Sequence, residues 1–260
     1  MQDNLNSDTE VRAPLQDAHA LIGCAGWSLP RAEQGHFPAT GTHLERYASR
    51  FPVVEINSSF HRSHRPEIWA RWRDAVAPDF RFSVKLSKVM THTEHLNGSG
   101  DLLQSFLEQV GTLGPKLGCL LVQLPPSLNF QPEIAHRFFG SLRELTTVAV
   151  ACEPRHPSWF ASEADTLLDQ FRIARVVADP ARVPAASKHG GWRGLTYLRL
   201  HGSPKIYYSA YTGEFIAALA ERITRELEAA RPVWCIFDNT TLGAATRNAL
   251  ELSTALHGRL

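Results

Sequence analysis

The chain has 260 residues, 43% of them hydrophobic, with Lys+Arg 27 against Asp+Glu 26 and a formal net charge of +1 at pH 7. This length suits one barrel domain of about 250 residues, and the near-zero charge supplies no net field toward nucleic acid or a membrane surface. No run approaches the roughly 18 apolar residues of a membrane-spanning helix. Cys24, Cys119, Cys152 and Cys235 form no C-x-x-C pair, which excludes zinc-ribbon and thioredoxin readings. They read as small apolar side chains in a reducing cytoplasm. Residues 1–18 are polar with scattered acids and lack both a basic n-region and an apolar h-region, so they are expected to be a disordered leader or a short lid, not a signal peptide. The remaining residues, 19–260, are expected to form one cytoplasmic domain.

Eight apolar, β-rich runs follow in order: Leu21–Ala25, Val53–Asn57, Phe80–Lys85, Gly118–Gln123, Val148–Arg155, Ala174–Asp179, Thr196–His201 and Val233–Asn239. Helical spacing fills nearly all the gaps. Thr42–Arg50 forms the first predicted helix, and a second begins at Pro66, a residue tolerated in a first turn because its missing N–H has no partner there. Trp69 and Trp72 on that helix are predicted core. Further helices are predicted over about 101–113, 132–145, 163–171, 214–229 and 243–256. Pro180–Gly194, with Gly190-Gly191, reads as loop. Strand–helix alternation repeated eight times predicts an α/β fold, a (β/α)8 TIM-type barrel of parallel strands, irregular around the sixth and seventh strands. A doubly wound open sheet is the rival, but no strand leads into G-x-G-x-x-G or G-x-x-x-x-G-K-[ST]. No cofactor is therefore expected.

Most of the runs end in a charged or amide side chain. Residues two apart share a face of a strand. Glu55 and Asn57 therefore align on the second strand, Glu153 and Arg155 on the fifth, and Tyr197, Arg199 and His201 on the seventh. Lys85, Gln123, Asp179 and Asn239 end the third, fourth, sixth and eighth. Facing one axis, these give three carboxylates, three cations, three amides and an imidazole at one mouth. Barrel interiors are normally filled with branched apolar side chains. Unpaired buried charge is costly, so the group reads either as a functional site or as a plug of structural ion pairs. Guanidiniums and an ammonium in one pocket suit phosphate or carboxylate. Glu55, Glu153 and His201 are the candidate acid–base residues.

The loop after the seventh strand carries Gly202, Lys205, Tyr207 and Tyr208, and barrel enzymes often bind phosphate there. Tyr208 is taken as a candidate contact. Asn239 either caps the last helix or meets a ligand at its N-terminus. His92, after Lys88, either belongs to a substrate loop or is solvated surface. Trp27 and Trp159 either stack on a sugar or base or anchor their loops.

Seven ordered motifs carry a resemblance. They are Gly26-Trp27-Ser28, Val54-Glu55-Ile56-Asn57-Ser58-Ser59-Phe60, Phe82-Ser83-Val84-Lys85 with Thr91-His92, Leu121-Val122-Gln123-Leu124-Pro125-Pro126, Glu153-Pro154-Arg155-His156 with Trp159, Arg199-Leu200-His201-Gly202, and Phe237-Asp238-Asn239-Thr240. The chain resembles the YecE-like family, domain-of-unknown-function family 72, from about Leu21 to Leu252. The resemblance implies a TIM-type barrel, often bacterial, with no firmly assigned activity. Two stretches depart from the pattern: Phe60-His61-Arg62 stands where Phe-Tyr-Arg is usual, and Leu29–Gln34 replaces an aromatic, glycine-containing stretch.

The expectation is an enzyme working by acid–base chemistry on a small anionic or sugar-like molecule, with no membrane or nucleic-acid partner and no metal. Two alternatives stand beside it: a metal-dependent phosphodiesterase or nuclease-like barrel, and a binding or regulatory protein without turnover.

Overall fold

The computed structural model describes residues 19–98 and 100–258. The leader expected over residues 1–18 lies outside the described residues. Among the described residues nine parallel strands form one sheet: β1 (Ala20–Ala25), β2 (Val53–Ile56), β3 (Arg81–Lys85), β4 (Leu117–Gln123), β5 (Ala149–Glu153), β6 (Ile173–Arg175), β7 (Val177–Asp179), β8 (Thr196–Leu200) and β9 (Val233–Phe237). Their order is β6-β5-β4-β3-β2-β1-β9-β8-β7. The two ends of that order, β6 and β7, are consecutive in the chain with only Val176 between them. The predicted sixth strand is thus divided. Its first half pairs with β5 and its second with β8, so the sheet returns on itself as a TIM-type barrel.

Helices cover the outside: α1 (His43–Ala48), α2 (Ser58–His61), α3 (Pro66–Asp74), α4 (Gly100–Val110), α5 (Pro132–Leu145), α6 (Ser162–Gln170), α7 (Gly213–Glu228) and α8 (Ala244–His257). Their local causes are those the sequence suggests. Thr42 forms a capping box with Glu45 ahead of α1, and proline opens α3 and α5. The four-residue α2 was not legible in the sequence; it is too short to show a period. Among the described residues, no helix is long and apolar enough to cross a membrane.

Strand alternation divides the core in two. Ile22, Val54, Phe82, Val122, Cys152 and Phe237 point outward beneath the helices, while Leu21, Val53, Leu121, Ala151, Tyr197 and Ile236 fill the barrel. All four cysteines are buried and free, each in a strand.

No α-helix joins β7 to β8. The chain instead crosses as a loop with one 3-10 turn, Pro184–Ser187, and Ala174 bridges antiparallel to Gly191. Arg175 explains this route. Its guanidinium donates to Asp165 at 2.5 Å and to the carbonyls of Ala185 and His189 at 3.4 and 3.2 Å, so it needs the loop backbone wrapped around it. A Cβ on Gly190 would lie 2.2 Å from Arg175 Cζ, closer than atoms can approach. Gly190→Ala is expected to destabilise the fold by about 1–3 kcal/mol through this overpacking. Gly35→Ala, where a Cβ meets nothing within 4 Å, should stay within about 0.5 kcal/mol of the parent. Urea unfolding of both checks this.

Candidate functional site: a buried guanidinium among three carboxylates

The inward positions at the C-terminal ends of the strands meet around Arg199, whose side chain is 0% exposed. Its Nε and Nη2 donate to the two oxygens of Glu55 at 2.9 and 2.5 Å, Nη1 donates to Glu153 at 2.7 Å, and Nη2 also reaches Asp238 at 3.0 Å. These partners come from β2, β5 and the end of β9, so one planar fork ties three strands of the barrel together.

Around this core the remaining hydrogen-bonding capacity is largely used. Tyr197 Oη donates to Glu55 at 2.9 Å and lies 2.8 Å from Ser83 Oγ. Glu153 also accepts from Gln123 at 3.3 Å and from Nε and Nη2 of Arg155, both at 3.2 Å. His201 lies between two acids, with Nδ1 3.0 Å from Asp238 and Nε2 3.0 Å from Glu153. Only the doubly protonated ring donates from both nitrogens.

These contacts set the protonation states. Burial would raise Glu153, but Arg199, His201 and Arg155 hold it well below the usual carboxylate range. Asp238 behaves likewise, with Arg199 and His201 overcoming burial. For His201, burial opposes charge, yet Glu153 and Asp238 raise it above its ordinary value. Lys85 moves the other way, to about 8, because burial and the Arg199 charge outweigh Glu55, Glu153 and Asp238. His92 falls to about 4, through burial and then the nearby cations Lys85 and Arg155.

The structure brings Glu55, Glu153, Arg155, Arg199, His201, Gln123 and Lys85 to one mouth, as the alternation predicts. His92 joins them on a π-helical turn, Val89–Thr93, where it packs edge-on against Phe60 at 4.9 Å. Such turns are frequent at functional sites. Phe60 also carries Lys85 Nζ 4.1 Å above its ring. Asn57 follows β2, with its Oδ1 buried and without a hydrogen-bond partner.

Other expected members lie elsewhere. Asn239 does not face the axis; Trp234 and Ile236 do, and the same alternation carries Asp238 inward and Asn239 outward. Its amide donates to Ser209 O and Asn248 Oδ1 at 2.9 and 3.1 Å, tying the loop after β8 to α8. Asp179 falls outside for the same reason, since Ala178 takes the inward position. Trp27 packs edge-on against Trp72 at 5.1 Å, beside His64 and Trp69. Trp159 is buried and donates to Leu128 O at 3.0 Å, so it anchors its loop. Tyr208 is exposed beneath Lys205.

Its neighbour Tyr207 reaches the site instead, with Oη 3.5 Å from Arg155 Nη2 and its ring 5.7 Å from that of His201. Tyr207 has φ of 70°, a conformation that costs a bulky residue about 1–3 kcal/mol. Gly202 lets the loop fold back this tightly: it has φ of 91°, and a Cβ there would meet Ser209 O at 2.7 Å. A shallow, solvent-open cleft lies beside the network, lined by Glu153, Arg155, Arg182, His201 and Tyr207.

The chain matches the family model described as a protein of unknown function, DUF72, over residues 21–259. It belongs to the DUF72 family. It is 34% identical over 175 residues to UPF0759 protein YecE of Escherichia coli (strain K12), covering 65% of this chain and 62% of that protein. UPF0759 protein YunF of Bacillus subtilis (strain 168) is 24% identical over 146 residues, 54% of this chain and 52% of its own length. The match therefore spans less than two thirds of either relative. Crystal structures of DUF72 family proteins share the fold. The protein from Enterococcus faecalis V583 gives a TM-score of 0.75 at 22% identity over 94% of this chain and 99% of that one. The one from Thermotoga maritima MSB8 gives 0.74 at 24% identity, over 92% and 99%. The YecE-like resemblance of the seven motifs is thereby shown.

Glu55, Glu153 and Asp238 already surround a guanidinium, and among the described residues no group of three or more His, Cys, Asp or Glu is arranged around a cation site.

Two predictions follow from the charges. Arg199→Met leaves three buried carboxylates uncompensated and should cost about 3–5 kcal/mol of stability at neutral pH. Without the guanidinium their folded-state pKa values rise above the unfolded ones, so part of the loss should return on acidification. Urea unfolding at pH 5 and pH 7.5 tests both points. In the parent, Glu153 and Asp238 contribute stability at neutral pH that is lost as pH falls through their depressed values. The His201 contribution is complete below its unfolded value and disappears as pH rises through its raised one. Imidazole NMR should therefore place His201 above about 6.5, and Glu153→Gln should move it down.

Proposed function

We propose that the mouth binds a small molecule bearing a phosphate or carboxylate and that the protein is an enzyme acting on it by proton transfer. The observation that carries this reading is the charge arrangement. Glu55, Glu153 and Asp238 are gathered on one guanidinium, while Arg155, Lys85 and protonated His201 add three cationic groups around the same acids. A pure plug of ion pairs would match its charges. While Lys85 is an ammonium, positive charge is in excess beside a cleft, and the guanidinium of Arg155 next to the phenol of Tyr207 suits an anion's oxygens.

The two histidines support a division of labour. His201 is biased toward its protonated form by Glu153 and Asp238 and His92 toward its neutral one by burial and nearby cations, and such opposed environments are how one site provides an acid and a base. Glu55 and Glu153 serve this reading as positioning residues. Both oxygens of Glu55 are taken by Arg199 and Tyr197, and a carboxylate held well below its usual range is a weak proton acceptor.

Inorganic phosphate and pyrophosphate should raise the melting temperature beyond chloride at matched ionic strength. Arg155→Met should weaken the binding measured by calorimetry about 10–100-fold, the worth of a charge-assisted contact, with little change in the unliganded melting temperature. Binding that is absent, or indifferent to Arg155, would overturn the reading.

A further inference from the structure

Of the five lysines, Lys85, Lys88, Lys116, Lys188 and Lys205, only one combines burial with the absence, among the described residues, of a counter-ion or hydrogen-bonding partner. Lys88 and Lys188 are exposed. Lys116 donates to the carbonyls of Arg73 and Val76 at 2.6 and 2.5 Å, and Lys205 lies over Tyr208 at the surface. Lys85 is 8% exposed and ends β3 on the inward face, two residues after Ser83. Among the described residues no carboxylate lies within ion-pair distance of its Nζ, which rests on the face of Phe60 at 4.1 Å. The acids that would otherwise pair with it are committed to Arg199. Its backbone is fixed as well, since Ser59 Oγ donates to Lys85 O at 2.7 Å. Burial and a neighbouring guanidinium are the two devices that turn a lysine into a nucleophile, because both favour the uncharged amine, and here they outweigh the contact with the Phe60 ring face, which favours the ammonium. Its low value of about 8 agrees with this.

We propose that Lys85 is a nucleophile that forms an imine with a carbonyl compound bearing a carboxylate or phosphate, the anion being held as in the reading above, on which this inference rests. The ammonium first gives a proton to solvent. The Nζ lone pair then forms the C–N bond while the carbonyl π pair moves to oxygen, and one N–H proton follows it to give the carbinolamine. A second proton, supplied by the His201 imidazolium and recovered from solvent, lets the C–O bond break. The oxygen leaves as water and the nitrogen lone pair closes the protonated imine. No oxidant or reductant enters.

Incubating the full chain with pyruvate and borohydride, then peptide mapping by mass spectrometry, tests this, because hydride fixes an imine as a stable secondary amine. The expected result is one carboxyethyl group on Lys85 in preference to the other four lysines, diminished by inorganic phosphate and weaker with acetaldehyde, which has no anion. Lys85→Met, which keeps the chain length and removes the amine, should lose the label; mapping in the parent chain decides the matter if that variant misfolds. Labelling of Lys85 no greater than that of Lys88 or Lys188 with either carbonyl compound would overturn the proposal, even if phosphate still stabilises the protein. Lys85 labelled equally by acetaldehyde, with no effect of phosphate, would keep the nucleophile and remove the anion site.

Discussion

Arg199 has no solvent contact and meets Glu55, Glu153 and Asp238 within 2.5 to 3.0 Å. Removing an ion from water costs several kcal/mol even after relaxation, so a buried charge persists only when its partners nearly fill its hydrogen-bonding capacity. The guanidinium meets that demand with a planar fork. A lysine has one ammonium point and would leave at least one acid exposed to the same penalty. The other charges at the mouth take their states from this one group. Glu153 and Asp238 are held ionised, the two acids in turn raise His201 above its ordinary value, and among the described residues Lys85 is left without a carboxylate of its own.

This arrangement reconciles stability with reactivity. The lower interior is apolar, with Leu21, Val53, Leu121 and Ile236 packed as a barrel core. Tyr197 marks the transition, its ring stacked on Trp234 and its phenol joining Ser83 to Glu55. Above it the polar layer is satisfied at its centre and less so at its rim, where Lys85, Arg155, His92 and Tyr207 lie. Inner groups with complete hydrogen bonds give rigidity, and outer groups with spare capacity are where a ligand gains most.

The divided sixth strand sets the shape of the cleft. Because the chain turns around Arg175 instead of forming an α-helix, a loop carrying Pro180, Arg182 and Ala186 lines the same cleft as Tyr207, Glu153 and His201. The family model covers the chain from residue 21 to residue 259, so these loops and the barrel belong to one matched unit.

Much of this was legible from the residues in order. Strand runs, helix starts at Thr42, Pro66 and Pro132, and the loop between the sixth and seventh strands follow from local chemistry: capping, the fixed φ of proline and the two-residue period of a strand. The same period placed Glu55, Glu153, Arg199 and His201 on one face. On the last strand the end of the apolar run suggested Asn239, whereas the same period followed through Trp234 and Ile236 leads to Asp238. No local signal separates Tyr207 from Tyr208, because loop residues have no period and a positive φ arises from the closure of the whole loop. Nor does any local signal show that three acids share one guanidinium. Hydrogen bonds between residues up to 144 positions apart exist only once the barrel has closed, and closure decides which charges are satisfied and which are left to act.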